Sequence, residues 1–309
     1  MDDTARARGT LLGLACGDAL GRPVEGWPRS RIASEHGRLT EMQARGTHGL
    51  PAGAVTDDTE LALCLARSIV ESDGFDADDA ARRFAAWFEG DPTGIGGMTR
   101  RALARVATGE PWDRAAEHVW RQSPEGHNAG NGSVMRCAPL AIRYADDPAT
   151  LIESSMTSSR LTHWDPRCTH GCAALNLVVA GYLRGADDPV SAALDRLDED
   201  APTDVAVALR EARTTTDPTM LPVTGYVVDT LEAGVGHALL AQSAEEAIVT
   251  AVNNGGDTDT VGAVAGAVAG ARFGVDRLPD RWLDELTVRD EASALGDRLA
   301  ALSEKDSGA

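Results

Sequence analysis

The sequence predicts an all-α fold, a compact orthogonal bundle of a dozen or more helices around a central Gly/Ala-rich helix. Aromatic residues make up 4% of the 309 residues, and β-branched residues are sparse outside short runs, a bias that favours helices over sheets. Apolar residues recur with helical spacing between short breaks, and alternating strand patterns are not evident. The length is sufficient to bury one large core.

The first helix is expected at 4–19, and it ends within a glycine-rich segment at 17–23. Residues 24–55 contain many Pro, Gly and Ser residues and show little periodicity, which predicts a long loop, of the kind that is usually functional or disordered. A Gly- and Asn-rich break at 126–132 precedes a helix that starts near 133. The remaining helices are expected at 58–71, 77–89, 97–107, 112–121, 148–159, 165–184, 188–196, 203–213, 224–241, 243–253, 257–273 and 282–302. We expect one domain over 1–309, with its motifs between 9 and 273 and a disordered tail at 303–309.

The charge of the chain limits its partners. The 48 acidic residues exceed the 29 basic residues and give a formal net charge of −19. A chain this negative lacks the broad basic surface that binds a nucleic-acid duplex or an anionic membrane. We therefore expect neither of these partners.

The cysteines and apolar segments indicate the compartment. Five cysteines form an odd set without paired spacing, which disfavours disulfides and indicates reducing surroundings. The first ten residues lack the pattern of a signal peptide. The longest uncharged apolar stretch, 261–271, is shorter than the roughly 20 residues of a membrane span. We expect a cytoplasmic protein, and a monomer because no coiled-coil pattern occurs.

The densest polar cluster is Thr-Asp-Asp-Thr-Glu at 56–60, directly before an apolar helical run. Asp and Thr are good helix N-caps, and acidic side chains suit the positive end of a helix dipole, so capping is one interpretation. Capping needs only one such side chain, however, and adjacent carboxylates repel each other. A hard cation would relieve that repulsion.

A second cluster, Asn-Asn-Gly-Gly-Asp-Thr-Asp-Thr at 253–260, opens a Gly/Ala/Val helix. Each helical glycine costs about 1 kcal/mol relative to Ala, so this helix is tolerable only where it is buried and its neighbours approach closely. It would then carry Asp257, Asp259 and Thr260 into the middle of the protein, where unpaired carboxylates are very costly. A cap on a core helix is again the alternative.

Together the clusters offer Asp carboxylates and Thr hydroxyls, with Glu60 as a further candidate, and no Cys or His lies beside them. Oxygen ligands suit Mg²⁺ or Mn²⁺ rather than zinc. Two such ions about 3.5–4 Å apart would clamp vicinal hydroxyls and activate a water between them. We favour a joint metal site over two separate caps, although the two interpretations are compatible.

Six segments carry a specific resemblance. They are GLACGDALGRPVE at 13–25, TDDT at 56–59, GIGGMT at 94–99, GNGSVMR at 130–136, LTH at 161–163 and NGGDTDT at 254–260. Each segment alone is a weak signal, but the ordered set resembles the ADP-ribosylglycohydrolase family. That family includes the glycohydrolases that reactivate dinitrogenase reductase and the hydrolases of ADP-ribosylarginine and ADP-ribosylserine.

The resemblance implies an all-α metal-dependent hydrolase with two Mg²⁺ or Mn²⁺ ions. Water activated by this centre would cleave the glycosidic bond between ADP-ribose and its acceptor, which is a protein arginine or serine or a small-molecule conjugate. The implied metal ligands are Thr56, Asp57, Asp58, Asp257, Asp259 and Thr260, and the implied catalytic residues are Glu25, Asp57, Asp58 and Asp259. Glu25 matches a family position on a mobile loop over the metals, where it would gate access or handle protons.

The resemblance also implies an ADP-ribose site. Its residues would be Gly94, Gly96, Gly97, Asn131, Ser133, Met135 and His163, with glycine backbone amides close to the phosphates. Plain turns, a core Met135 and a structural His163 are the alternatives. Arginine-type members of the family commonly carry Asp, with a proposed proton-transfer role, where this chain has Gly94. This departure shifts proton transfer to Glu25, with Asp91 as a less favoured substitute.

Two other classes of protein are alternatives. One is a non-catalytic relative that binds ADP-ribose or a related nucleotide, or that serves structurally as some lens crystallins do. The other is a zinc protein that uses His163, Cys168, His170 and Cys172. Cys168 and Cys172 would share one face of a helix while His170 lies opposite, so buried free cysteines are the better interpretation.

Overall fold

The computed structural model describes residues 3–197 and 199–307, which form sixteen α-helices, short 3₁₀ turns and no sheet. The predicted all-α fold is therefore confirmed. The helices are α1 Asp3–Gly21, α2 Arg29–His36, α3 Asp57–Glu71, α4 Ala77–Glu89, α5 Gly97–Ala107, α6 Trp112–Gln122, α7 Ala138–Arg143, α8 Pro148–Arg160, α9 Pro166–Leu183, α10 Pro189–Leu194, α11 Thr203–Thr214, α12 Val227–Leu240, α13 Ala244–Asn253, α14 Thr258–Phe273, α15 Asp280–Glu285 and α16 Arg289–Ser307.

The Gly/Ala/Val helix α14 lies at the centre of the fold, and α1 packs antiparallel against it. Its residues from Thr258 to Ala271 are all buried, and α12 and α13 also pack on it. Glycines face each other along the α1/α14 contact. A Cβ on Gly13 would lie 2.2 Å from the carbonyl oxygen of Gly266, and a Cβ on Gly17 would lie 1.9 Å from that of Gly262. The expected burial and close approach of neighbouring backbone are both confirmed.

The segment predicted as a long loop contains a helix. α2 lies within residues 24–55, and Ile32 is its only buried residue. A helix this short and polar has too little apolar periodicity to be found in the sequence. Hydrogen bonds from Arg22 hold the loop after α2 in place. Its guanidinium donates to the carbonyl oxygens of Gln43, Arg45, Pro51 and Ala54.

Two other predicted helices differ from the structure. The helix expected from 133 is a 3₁₀ turn, Val134–Arg136, followed by α7. The helix expected at 282–302 is divided into α15 and α16, because Thr287 donates from its backbone nitrogen and its hydroxyl to the carbonyl oxygen of Gly53, at 3.0 and 3.1 Å. A partner more than 200 residues away in the chain interrupts this helix, and local sequence does not show it.

Smaller differences concern the ends of elements. α12 begins at Val227 rather than 224. α16 continues through residues 303–307 of the expected disordered tail, and residues 308 and 309 lie outside the described part of the chain. Among the described residues no helix has both the length and the apolar character to cross a membrane.

The backbone contact between α1 and α14 leads to a stability prediction. Gly17→Ala should lower the free energy of unfolding by about 3 kcal/mol, because its Cβ meets backbone that cannot move aside. Urea unfolding followed by circular dichroism would measure this loss. Gly97→Ala is the matched control, since a Cβ there meets nothing within 4 Å. Equal stability of both variants would contradict this account of the packing.

Candidate metal and substrate site

Three helix ends meet on one side of the α1/α14 pair. They are the C-terminal turn of α1 and the N-terminal turns of α3 and α14, and the Thr258 hydroxyl ties α14 to α1 by donating to the carbonyl oxygen of Gly21 at 2.8 Å. Asp57 and Asp58 open α3, and Asp257 and Asp259 open α14. The structure therefore brings together the two acidic clusters that lie 200 residues apart in the sequence.

Asp18 supports this arrangement from the last turn of α1. It is fully buried, and its carboxylate accepts bonds from the backbone nitrogens of Thr56 and Thr59, at 3.0 and 3.2 Å, and from both hydroxyls, at 2.9 and 2.5 Å. α3 is thus capped by a side chain from another helix. No role was predicted for Asp18 from the sequence, although an isolated acidic residue within a Gly/Ala/Leu helix is a usable signal.

The capping interpretation of the acidic clusters is not supported. Thr56 and Asp257 occupy the N-cap positions of α3 and α14, and neither side chain makes a capping hydrogen bond. The Asp58 atom Oδ1 is buried without any hydrogen-bond partner among the described residues. This Asp58 oxygen remains available for another partner, and burying it without one is costly.

The crowded carboxylates perturb one another. Burial raises the pKa of Asp58 well above its usual value, and the charges of Asp18 and Asp57 raise it further. Burial also raises the pKa of Asp259, with Asp58 and Asp257 adding to the effect. The pKa of Asp57 rises to about 7 for the same two reasons, burial first and then Asp18. Such a cluster is complementary to a cation of high charge.

A divalent cation fits these residues. The unpartnered oxygen of Asp58 and the all-oxygen donor set match the preferences of Mg²⁺ or Mn²⁺. His48, which was not predicted as a site residue, also lies here, and its Nε2 contacts the Glu25 carboxylate. Ligand atoms of Glu25, His48 and Asp259 lie within 4.8 Å of one another. Glu60, named as a further candidate ligand, instead accepts a bond from Trp87 Nε1 at 2.7 Å.

The acidic cluster forms the floor of a cavity of about 660 Å³, within the size range of small-molecule sites. Thr56 and Ser133 are the two predicted site residues outside the lining. Thr56 Oγ1 lies behind the floor, 3.1 Å from Asp58 Oδ2, and Ser133 Oγ contacts Ser159 and Cys172. The other predicted site residues line the cavity: Glu25, Asp57, Asp58, Gly94, Gly96, Gly97, Asn131, Met135, His163, Asp257, Asp259 and Thr260.

The glycine segment before α5 forms one wall. Gly94 has a φ of +88°, and a Cβ there would lie 3.0 Å from Asp57 Oδ1. A side chain at 94 would therefore strain the backbone and press on the acidic floor. Asp91 is exposed and is not among the lining residues, so it does not replace a carboxylate at this position.

Asn131 lies in the cavity and also has a structural role. Its Nδ2 donates to Asp257 Oδ2 at 2.7 Å and to Thr230 Oγ1 at 3.0 Å, which fixes the Asp257 carboxylate. The structure also places Thr99 and Tyr226 in the lining. Neither was predicted as a site residue, and no motif marked Tyr226.

The zinc interpretation is not supported by the geometry. Cys168 Sγ donates to the carbonyl oxygen of Gly130 at 3.3 Å, and Cys172 Sγ contacts Ser133. The five cysteines are buried and free, as expected for small core residues. No cluster of potential metal ligands within the described ranges contains a cysteine.

Fold and site together define an all-helical protein with a cavity whose floor is formed by buried carboxylates. The family model described as ADP-ribosylglycohydrolase matches residues 1–309. The chain belongs to the ADP-ribosylglycohydrolase family.

Named relatives match over most of their length. The chain is 32% identical over 290 residues to ADP-ribosyl-[dinitrogen reductase] glycohydrolase of Rhodospirillum rubrum, covering 93% of this chain and 92% of that protein. It is 34% identical to ADP-ribosylarginine hydrolase Tri1 of Pseudomonas putida, covering 97% and 80%. A solved structure described as an ADP-ribosylglycohydrolase-related protein complex superposes with a TM-score of 0.81 at 35% identity, covering 97% of this chain and 99% of the other.

The buried carboxylates lead to a prediction about metal binding. Millimolar Mg²⁺ or Mn²⁺ should raise the melting temperature of the wild type, because a ligand that binds only the folded state stabilises it. Asp58→Asn should lose most of this rise, and its metal-free form should melt no lower than wild type, since a neutral amide removes one buried charge. Differential scanning calorimetry with and without EDTA would measure both effects.

Glu60→Gln is the control for this experiment. Glu60 lies in the same helical turn but bonds to Trp87 outside the acidic floor, so its metal response should match that of the wild type. A full metal response in Asp58→Asn would count against this ligand assignment.

Proposed function

We propose that this chain hydrolyses the bond between ADP-ribose and an arginine side chain of a protein, at a centre of two Mg²⁺ or Mn²⁺ ions. The observation that carries the proposal is the buried acidic floor of the cavity, with its unpartnered Asp58 oxygen. One relative supports the linkage, since its name specifies an ADP-ribosylarginine hydrolase. The name of a second relative, a dinitrogen reductase glycohydrolase, supports a protein as the carrier of the ADP-ribose.

The cation-holding residues are proposed to be Thr56, Asp57, Asp58, Asp257, Asp259 and Thr260. When bound, the ions would neutralise the floor, orient the ribose hydroxyls and supply an activated water at neutral pH. The protein keeps the ligands in place before any ion binds. Asn131 holds Asp257, and Asp18 fixes the first turn of α3 through Thr56 and Thr59.

The diphosphate is proposed to lie at the start of α5. A Cβ on Gly96 or Gly97 would meet nothing within 4 Å, so this wall is open to a ligand. The N-terminus of a helix attracts anions through its free backbone amides and its dipole. His163 lines the same cavity beside Gly130 and Gly132, and it would contact the same part of the ligand.

Glu25 is proposed to handle the proton of the attacking water. It lines the cavity beside Asp259, and its carboxylate contacts His48. Reciprocal backbone bonds fix its neighbours, since Gly26 donates to Gly256 and Gly256 donates to Trp27, both at 2.8 Å. Because residue 94 is a glycine, it offers no carboxylate. Among the described residues that line the cavity, Glu25 is then the one acidic residue that is not a proposed metal ligand. Its negative charge also suits a cationic guanidinium as the departing group.

ADP-ribose release from two matched peptides tests the proposal. One peptide carries ADP-ribose on arginine and the other on serine, and each is incubated with Mg²⁺, Mn²⁺ or EDTA. We expect release from the arginine peptide alone, stopped by EDTA. Release only from the serine peptide would reassign the linkage. Tight binding of ADP-ribose without release from either peptide would favour the non-catalytic relative or a small conjugate as substrate.

Glu25→Gln should lower kcat on the arginine peptide about 100-fold while changing the Kd for ADP-ribose little, because the amide keeps the size of the side chain but cannot accept the proton. Steady-state kinetics and isothermal titration would separate the two effects. Glu35→Gln is the control, since Glu35 is exposed on α2 and pairs with Arg31. Weakened binding with unchanged kcat would make Glu25 a binding residue instead.

A further inference from the structure

A buried polar chain leads from Arg136 to the cavity wall. Arg136 is fully buried, and its Nη2 donates to Thr162 Oγ1 at 2.9 Å and to the carbonyl oxygen of Ser158 at 3.3 Å. Its guanidinium also lies 4.8 Å from the centre of the Phe84 ring. Thr162 is itself fully buried, and its Oγ1 lies 2.8 Å from Nδ1 of His163.

The direction of these bonds follows from the chemistry of the groups. A guanidinium only donates, so Thr162 Oγ1 accepts from Arg136. The buried hydroxyl must then place its own hydrogen on an acceptor. Within 3–197 and 199–307 the structure gives this hydroxyl one acceptor, His163 Nδ1. Thr162 therefore donates to Nδ1, and a neutral His163 carries its proton on Nε2.

His163 is neutral in this position. Burial lowers its pKa to about 3, and the charge of Arg136 contributes to this shift. The backbone around the ring is also fixed, since the His163 nitrogen donates to the carbonyl oxygen of Ser159 at 2.8 Å and the Ser159 hydroxyl donates to that of His163 at 3.0 Å. Ring position and tautomer are thus set by separate contacts.

The Nε2 edge of His163 faces the cavity. A Cβ built on Gly130 would lie 3.5 Å from this atom, and one built on Gly132 would lie 3.2 Å from it. The two glycines therefore leave open the space into which Nε2–H points. A ligand there must offer a hydrogen-bond acceptor, as a phosphate oxygen does.

We propose that Thr162 and Arg136 are positioning residues that fix His163 as a neutral Nε2–H donor toward a phosphate oxygen of the ligand. The identity of the ligand rests on the proposed function, because ADP-ribose is the occupant assigned to this cavity. The tautomer itself does not rest on it and exists in the ligand-free protein.

The same chain contains a matched contrast. His237 is also buried, and its Nδ1 lies 3.2 Å from a threonine hydroxyl, that of Thr250. Thr250 already donates to backbone carbonyl oxygens of its own helix, at 2.8 Å for Glu246. His237 must therefore donate from Nδ1, and its buried Nε2 has no partner among the described residues. The two histidines should carry opposite tautomers.

Nuclear magnetic resonance of the full-length protein, labelled with ¹⁵N-histidine and free of ligand, tests the proposal. Two-bond ¹H–¹⁵N correlations report the tautomer of each ring, and His163→Gln and His237→Gln assign the signals. We expect Nε2–H for His163 and Nδ1–H for His237. An Nδ1–H form of His163 in the wild type overturns the proposal whether or not any variant folds.

Variants of Thr162 test the consequence for binding. Thr162→Val should release the His163 tautomer and weaken ADP-ribose binding about tenfold, the effect of losing one bond to a charged group. Thr162→Ser keeps the hydroxyl and should restore both properties. Wild-type affinity in a folded Thr162→Val protein overturns the positioning role. Absence of turnover with the predicted tautomers and binding intact would count against the proposed hydrolase function alone.

Discussion

The close antiparallel contact between α1 and α14 is the constraint on which the site depends. Glycine faces glycine along this contact, so the backbones approach without side chains between them. The contact fixes where α1 ends relative to where α14 begins, and thereby sets Asp18 near the start of α14. Asp18 in turn holds the first turn of α3. Positions from three distant parts of the chain therefore form one acidic floor, and a displacement of either central helix would separate its carboxylates.

The acidic floor is an unfavourable arrangement for the protein alone. Asp58 and Asp259 are buried beside other carboxylates, and their pKa values are raised by burial and by this repulsion. Arg22, which is buried directly after α1, donates to backbone carbonyl oxygens of the neighbouring loop rather than to these carboxylates. Folding thus crowds several carboxyl groups into a buried position, an arrangement that a bound cation would stabilise in its charged form.

Much of the fold was predictable because helix signals are local. The short polar helix α2 was not predicted, because a single buried residue, Ile32, leaves no periodic apolar pattern in the sequence. The division between α15 and α16 was not predicted, because it depends on hydrogen bonds from Thr287 to Gly53, a residue distant in the sequence. The residues of the acidic floor were identified from composition and order, since four aspartates beside threonines and glycines are unusual at two helix starts.

The sequence by itself determined the helical class, the oxygen character of the candidate ligands and the family to which the chain belongs. These properties depend on residue types and on their order. Only the tertiary structure decided that Asp18 caps α3, that Ser133 lies behind the cavity wall and that Arg136 donates to Thr162 beside His163. The physical reason is that hydrogen bonds depend on the distance and direction between atoms, and only the folded chain fixes these.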